Sequence, residues 1–198
     1  MSRLENTRRL IADRTAPPLV RLLLKTPLSP NAVTWIGFII TAGAAALIAL
    51  GHDFAAGIVV LVAGLFDMLD GALARVKGQV TRFGAVLDST LDRLSEAVLL
   101  LALLYIFARN GQPLWSLLTG IALVCSLMVS YLRARMEGLG IECKAGIFTR
   151  PERVVLLALG LLLSHFNYLL IVAVGLLALF SFITVIERLV YAWRHLRD

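Results

Sequence analysis

FAAGIVVLVAGLFDMLDGALAR, residues 54–75, is the stretch from which the fold class is read. Its first thirteen residues, Phe54–Phe66, carry no charge, and the remainder carries Asp67, Asp70 and Arg75. A helix needs about 20 residues to cross a hydrocarbon core of about 30 Å, so this stretch spans a bilayer only with its two aspartates included. A carboxylate at the centre of such a span costs on the order of 2.5–3.5 kcal/mol on insertion scales. Two of them, three residues apart, call for a partner or a task.

Outward from this stretch, apolar runs recur along all 198 residues. They cover 32–50, 84–108, 114–132, 148–166 and 168–186, with 54–76 as the second of six. The chain is 59% apolar and 16% charged, with a mean hydropathy of +0.85. Soluble domains average about half apolar and a quarter charged. A water-soluble globule and a disordered chain are therefore excluded as expectations. The expected fold is all-α and integral to a membrane, with six transmembrane helices.

Charge supplies the orientation. Of 19 Lys and Arg, six precede the first span (Arg3, Arg8, Arg9, Arg14, Arg21 and Lys25). Four more lie around the second link (Arg75, Lys77, Arg82, Arg93), five around the fourth (Arg133, Arg135, Lys144, Arg150, Arg153) and three at the end (Arg188, Arg194, Arg197). Only Arg109 belongs to the other side. By the positive-inside rule both termini are expected in the cytoplasm, and the net charge of +6 needs no nucleic-acid partner to explain it. Residues 1–28 mix Leu4, Leu10, Ile11 and Leu22–Leu24 with arginines, so an amphipathic helix on the anionic inner leaflet is expected there. Residues 29–198 form the second unit, the six-helix domain, opened by the Ser29-Pro30-Asn31 turn and cap. Cys125 and Cys143 form no disulfide framework and no zinc spacing.

The chemistry is expected where the acids gather. Asp67 and Asp70 are three apart, and Asp88 and Asp92 four apart, so each pair shares one helix face. A short basic link between them lets the two faces meet at one membrane boundary. Four converging carboxylates suit a hard divalent cation such as Mg²⁺ or Mn²⁺. The plain alternative is a salt-bridge cluster with Arg75, Arg82 and Arg93. Gly71 and Gly84 beside the acids leave room for a ligand or for backbone to approach.

These residues carry a resemblance. Asp67, then Asp70-Gly71-Ala72-Leu73-Ala74-Arg75, eight residues, Gly84, three residues, Asp88, three residues and Asp92 resembles the signature of the CDP-alcohol phosphotransferase family. The span count extends the likeness over nearly the whole chain. The resemblance implies that Asp67, Asp70, Asp88 and Asp92 hold two divalent cations against the pyrophosphate of CDP-diacylglycerol. It makes Asp92 also the general base. It assigns Gly71, Ala74, Arg75, Thr81 and Gly84 to the nucleotide and its phosphates, with Asn31, Ala32, Val33 and Thr34 on the cytidine side. It implies a homodimer.

The acceptor is read from the second half. Ser130-Tyr131-Leu132-Arg133-Ala134-Arg135 closes the fourth span and Thr149-Arg150-Pro151-Glu152-Arg153 opens the fifth. Guanidinium groups grip phosphate bidentately, so a phosphorylated alcohol is expected. Together with Phe83–Arg93, these stretches are similar to the prokaryotic phosphatidylinositol-phosphate synthases. That likeness implies Arg133, Arg153 and Arg194 around the phosphate of inositol phosphate, with CMP released. Where many relatives have a lysine, this chain has Arg133. Glycerol 3-phosphate as acceptor and an ether-lipid donor are the close alternatives. A divalent-cation transporter would need a polar path across the membrane, and none continues past the acids. A non-catalytic lipid-binding protein would not require the full aspartate spacing.

Overall fold

The computed structural model describes residues 26–143, 145–166 and 168–196, together with Leu24. The amphipathic segment expected over 1–28 lies for the most part outside the described residues. Six helices follow: α1 (Pro30–Ala49), α2 (Asp53–Lys77), α3 (Arg82–Arg109), α4 (Pro113–Gly138), α5 (Arg150–Leu162) and α6 (Leu169–His195). No strand occurs among the described residues.

Local chemistry sets the helix ends. Ser29 caps α1, its hydroxyl accepting from the Ala32 N–H at 3.2 Å, with Pro30 in the first turn. Gly78 closes α2 in the left-handed conformation (φ 64°), and the Gln79 N–H reaches back to the Ala74 carbonyl at 2.9 Å. Three residues after Gly78, Thr81 caps α3 by accepting from the Gly84 N–H at 2.9 Å. This stop and restart folds α3 back beside α2 and brings the two aspartate pairs to the same end.

The helices close into a ring. α1 packs on α2 and α3, α3 on α4, α4 on α6, α6 on α5, and α5 on α2. Inside lies a core that includes Ile48, Val60, Leu100, Leu103, Leu157, Leu161 and Leu177, each at most 1% exposed. Outside, large apolar side chains such as Ile39, Phe54, Leu65, Leu117 and Phe182 are exposed along the helices. Such a continuous apolar exterior belongs in lipid. The chain is an all-α integral membrane protein.

Four helices, α1, α2, α4 and α6, are both long and apolar enough to cross a membrane. α3 has the length, at 28 residues, but carries the second acid pair, Glu96 and several arginines. α5 differs from the expected 148–166: it has 13 residues, about 20 Å of helix at 1.5 Å per residue. It starts two residues later than expected, and it ends four residues earlier, at Leu162, where the chain turns through Ser164 and Phe166. Before it, the chain is pinned to α6. Arg188 Nε donates to the Ala145 carbonyl at 3.1 Å, the Ile147 N–H donates to Glu187 at 3.3 Å, and Tyr191 donates to the Glu142 carbonyl at 3.2 Å.

Candidate active site

Up-and-down topology brings the start of α1, the end of α2, the starts of α3 and α5 and the ends of α4 and α6 together at one end of the ring. Asp67 and Asp70 come from α2 and Asp88 and Asp92 from α3, and the four carboxylates lie within one another's electrostatic reach. Asp70 is 4% exposed. One of its oxygens accepts from the Gly71 N–H, while Oδ2 is buried with no hydrogen-bond partner. An orphaned buried carboxylate oxygen is costly, and a hard cation is the partner that suits it. The donor set therefore fits a divalent metal. Among the described residues, however, no three acid, histidine or cysteine side chains form a closed cage. Arg150 stands between two of the four, with Nη2 2.6 Å from Asp67 Oδ2 and Nη1 2.8 Å from Asp92 Oδ1.

The donor-side residues also assemble. A Cβ on Gly84 would lie 2.9 Å from Thr81 Oγ1 and 3.1 Å from Asn31 Oδ1, so glycine is what lets the α1 and α3 starts meet. Thr34, buried, sits beside the Asp70 carboxyl. Val33 is enclosed against Leu73, which leaves Asn31 and Thr34 as the polar members of the Asn31–Thr34 segment at the site. Arg75 is exposed, one turn beyond Gly71 and next to Ala74. Lys77 donates to the Leu28 carbonyl at 2.6 Å, tying the end of α2 to the approach to α1.

Beside the aspartates opens a polar cavity of about 340 Å³. Asp88, Asp92 and Arg93 line it from α3, Arg133 and Glu137 from α4, Arg150 and Arg153 from α5, and Arg188 from α6. Of the three arginines expected around an acceptor phosphate, Arg133 and Arg153 are here, while Arg194 is exposed on the last turn of α6 and outside the lining. Arg133 is exposed and pairs with Glu137 at 2.8 Å. Arg153 is only 1% exposed and is held by both Glu96 oxygens, at 2.6 and 2.9 Å.

Three residues outside the expected set belong to this geometry. Arg188, 3% exposed, donates to the Val129 and Ala145 carbonyls. A Cβ on Gly146 (φ +113°) would fall 3.0 Å from its Nε, so the loop passes over Arg188 only as glycine. Arg150 bridges α2 and α3, and Glu96 anchors Arg153. Their signal was present as a matched stripe: Asp92 and Glu96 are four apart on α3, and Arg150 and Arg153 three apart on α5.

Comparison with known proteins shows the family and the fold. Residues 27–187 match the family model described as CDP-alcohol phosphatidyltransferase. The chain is 40% identical to a phosphatidylinositol phosphate synthase of Mycobacterium tuberculosis, over 98% of this chain and 92% of that one. It is 36% identical to an archaetidylinositol phosphate synthase of Methanothermobacter thermautotrophicus, over 94% and 89%. The crystal structure of the M. tuberculosis phosphatidylinositol phosphate synthase with CDP-DAG bound superimposes with a TM-score of 0.82 at 39% identity, covering 89% of this chain and 92% of that one. The same enzyme in complex with manganese and citrate gives a TM-score of 0.82 at 40% identity, covering 89% and 88%. With its family model matched over most of its length and relatives aligned nearly end to end, the chain belongs to the CDP-alcohol phosphatidyltransferase family and is a transferase of phospholipid synthesis.

Proposed function

We propose that the protein transfers the phosphatidyl group of CDP-diacylglycerol to inositol phosphate and releases CMP. The observation that carries this reading is the cavity in which Arg133, Arg150, Arg153 and Arg188 face the aspartate end of α3. It joins a carboxylate cluster suited to the donor's phosphates to a guanidinium cluster suited to a phosphorylated acceptor. The two relatives' names differ in their lipid and agree in inositol phosphate, which supports the acceptor.

Asp67, Asp70, Asp88 and Asp92 would hold two divalent cations, Mg²⁺ or Mn²⁺. When bound, these neutralise charge on the donor's phosphates and stabilise the leaving CMP. Asp92 takes the proton of the attacking hydroxyl, since it alone of the four both borders the acceptor cavity and pairs with α5. Gly71, Ala74, Arg75, Thr81 and Gly84 cradle the nucleotide and its phosphates, with Asn31 and Thr34 on the cytidine side. Arg133 and Arg188 hold the acceptor phosphate, and Arg153, locked by Glu96, shapes the wall between them. Orienting the hydroxyl between Asp92 and phosphorus supplies the rest of the acceleration. In this reading the charged end of the ring faces the cytoplasm of a prokaryotic cell, where both polar reactants arrive, and the enzyme works as a homodimer.

The test is CMP release by purified protein with CDP-diacylglycerol and Mg²⁺, comparing inositol phosphate, free inositol and glycerol 3-phosphate. Turnover with inositol phosphate alone is expected. Turnover with glycerol 3-phosphate instead would overturn the acceptor and keep the aspartate chemistry. Turnover only with the ether-lipid analogue of the donor would make this chain resemble the archaeal relatives.

A further inference from the structure

Arg150 is carried by α5, yet its guanidinium closes a gap between two other helices. One terminal nitrogen engages Asp67 on α2 and the other Asp92 on α3, at 2.6 and 2.8 Å. Its Nε is buried and has no hydrogen-bond partner, so the group is held through its outer nitrogens alone. The neighbouring rung is built differently. Arg153 spends Nε and Nη2 on one carboxylate, Glu96, and Nη1 on the Phe148 carbonyl. Glu96–Arg153 is a closed pair; Asp67–Arg150–Asp92 is one cation shared by two carboxylates.

We propose that Arg150 is a built-in counter-cation that competes with divalent metal for Asp67 and Asp92, and that its displacement links metal binding to the acceptor cavity. The proposal rests on the reading of Asp67 and Asp92 as metal ligands. Carboxylates from two helices repel when they are brought together, and one delocalised positive charge between them relieves that repulsion. A divalent cation takes such oxygens at about 2.0–2.6 Å, which leaves no room for a guanidinium on the same atoms. Arginine's charge is spread over a weakly hydrated fork, so it yields to a hard cation and finds other partners. Arg150 also lines the acceptor cavity. Once released it adds a cation to the wall that meets the acceptor's phosphate. By reciprocity, an anion drawing Arg150 off the carboxylates favours metal, and metal favours the anion.

The test titrates Mn²⁺ into chelator-stripped, purified protein and follows free Mn²⁺ by electron paramagnetic resonance, with no donor lipid present. R150Q is expected to bind Mn²⁺ about tenfold more tightly than the unchanged protein, within the roughly 5–150-fold range of such couplings. R93Q removes a charge beside the same acids, but from an arginine that donates to the Ser89 carbonyl; it is expected to change Mn²⁺ affinity less than about twofold, well below the range of such couplings. Unchanged or weaker binding in R150Q, or equal tightening in R93Q, overturns the proposal. Adding inositol phosphate should tighten Mn²⁺ in the unchanged protein and not in R150Q; equal tightening in both overturns the linkage. Should R150Q fail to fold, R150M, which keeps an unbranched side chain but carries no charge, is expected to tighten Mn²⁺ severalfold, and no tightening overturns the proposal equally. D70N separates the two readings, because Asp70 is not bound by Arg150. If D70N keeps full Mn²⁺ affinity, the metal site itself is misassigned; if it loses affinity while R150Q gains none, only the role of Arg150 falls.

Discussion

At the end of the ring away from the aspartates, Gly57 and Gly160 are small because helices touch there. A Cβ on Gly57 would lie 2.8 Å from Leu162 Cγ, and one on Gly160 2.6 Å from Ala173 Cβ. At the charged end, Gly84 is small because the polar side chains of Asn31 and Thr81 come close, and Gly146 because the Thr184 methyl and the Arg188 guanidinium both do. The same contrast runs through the buried charges. The apolar half is filled by leucine, valine and alanine, while within a few turns the charged half buries Asp70, Glu96, Arg153 and Arg188. The apolar half is built for close packing. The charged half keeps costly groups that packing alone does not require, which is the pattern expected of a site with a chemical task.

The contrast breaks most visibly at Asp92. Asp92→Asn is expected to lower CMP release about a thousandfold or more, the scale of general-base loss, while its thermal unfolding in detergent stays unchanged. Near-normal turnover would move Asp92 out of the chemistry and into packing.

Glu96 tests the boundary between the halves. Glu96→Ala leaves the Arg153 guanidinium buried without its partner, a loss of about 3–5 kcal/mol where a buried pair is broken on one side. A large drop in unfolding temperature is expected. The double change of Glu96 and Arg153 to methionine should recover much of it, since apolar replacements of buried pairs are often neutral or stabilising. If the single change is harmless, the pair is not a structural anchor of the cavity wall.

The glycines give the smallest and sharpest comparison. Gly160→Val overpacks an apolar contact, at a cost of about 1–3 kcal/mol, and is expected to leave the KM for CDP-diacylglycerol unchanged in protein that folds. Gly84→Ala places a methyl against Asn31 and Thr81 and is expected to raise that KM severalfold with a smaller loss of stability. The same effect on KM from both substitutions would erase the distinction between the two ends.

Much of this was legible along the chain. Spacing alone placed the two acid pairs on single faces of neighbouring helices, the cap at Ser29 opened α1 as expected, and Pro151 lies in the first turn of α5. Charge distribution put the arginines at one end, and the aspartate–glycine pattern pointed to the family. These features are local: they depend on residues a few positions apart, which helical geometry relates without knowledge of the fold.

Pairing across helices was a different matter. The sequence alone determined that this chain is a helical membrane protein with a carboxylate cluster and basic groups at one boundary, because hydrophobic runs, helix period and charge placement are written in order along it. Only the tertiary structure decided that Arg150 would bridge Asp67 and Asp92, that Arg153 would be locked by Glu96, and that Arg188 rather than Arg194 would line the cavity. It also decided the bounds of α5, whose approach is pinned by side chains of α6 and whose end turns away after Leu162. A long arginine reaches several partners from one backbone position, and which of them it meets depends on how helices far apart in the chain are packed.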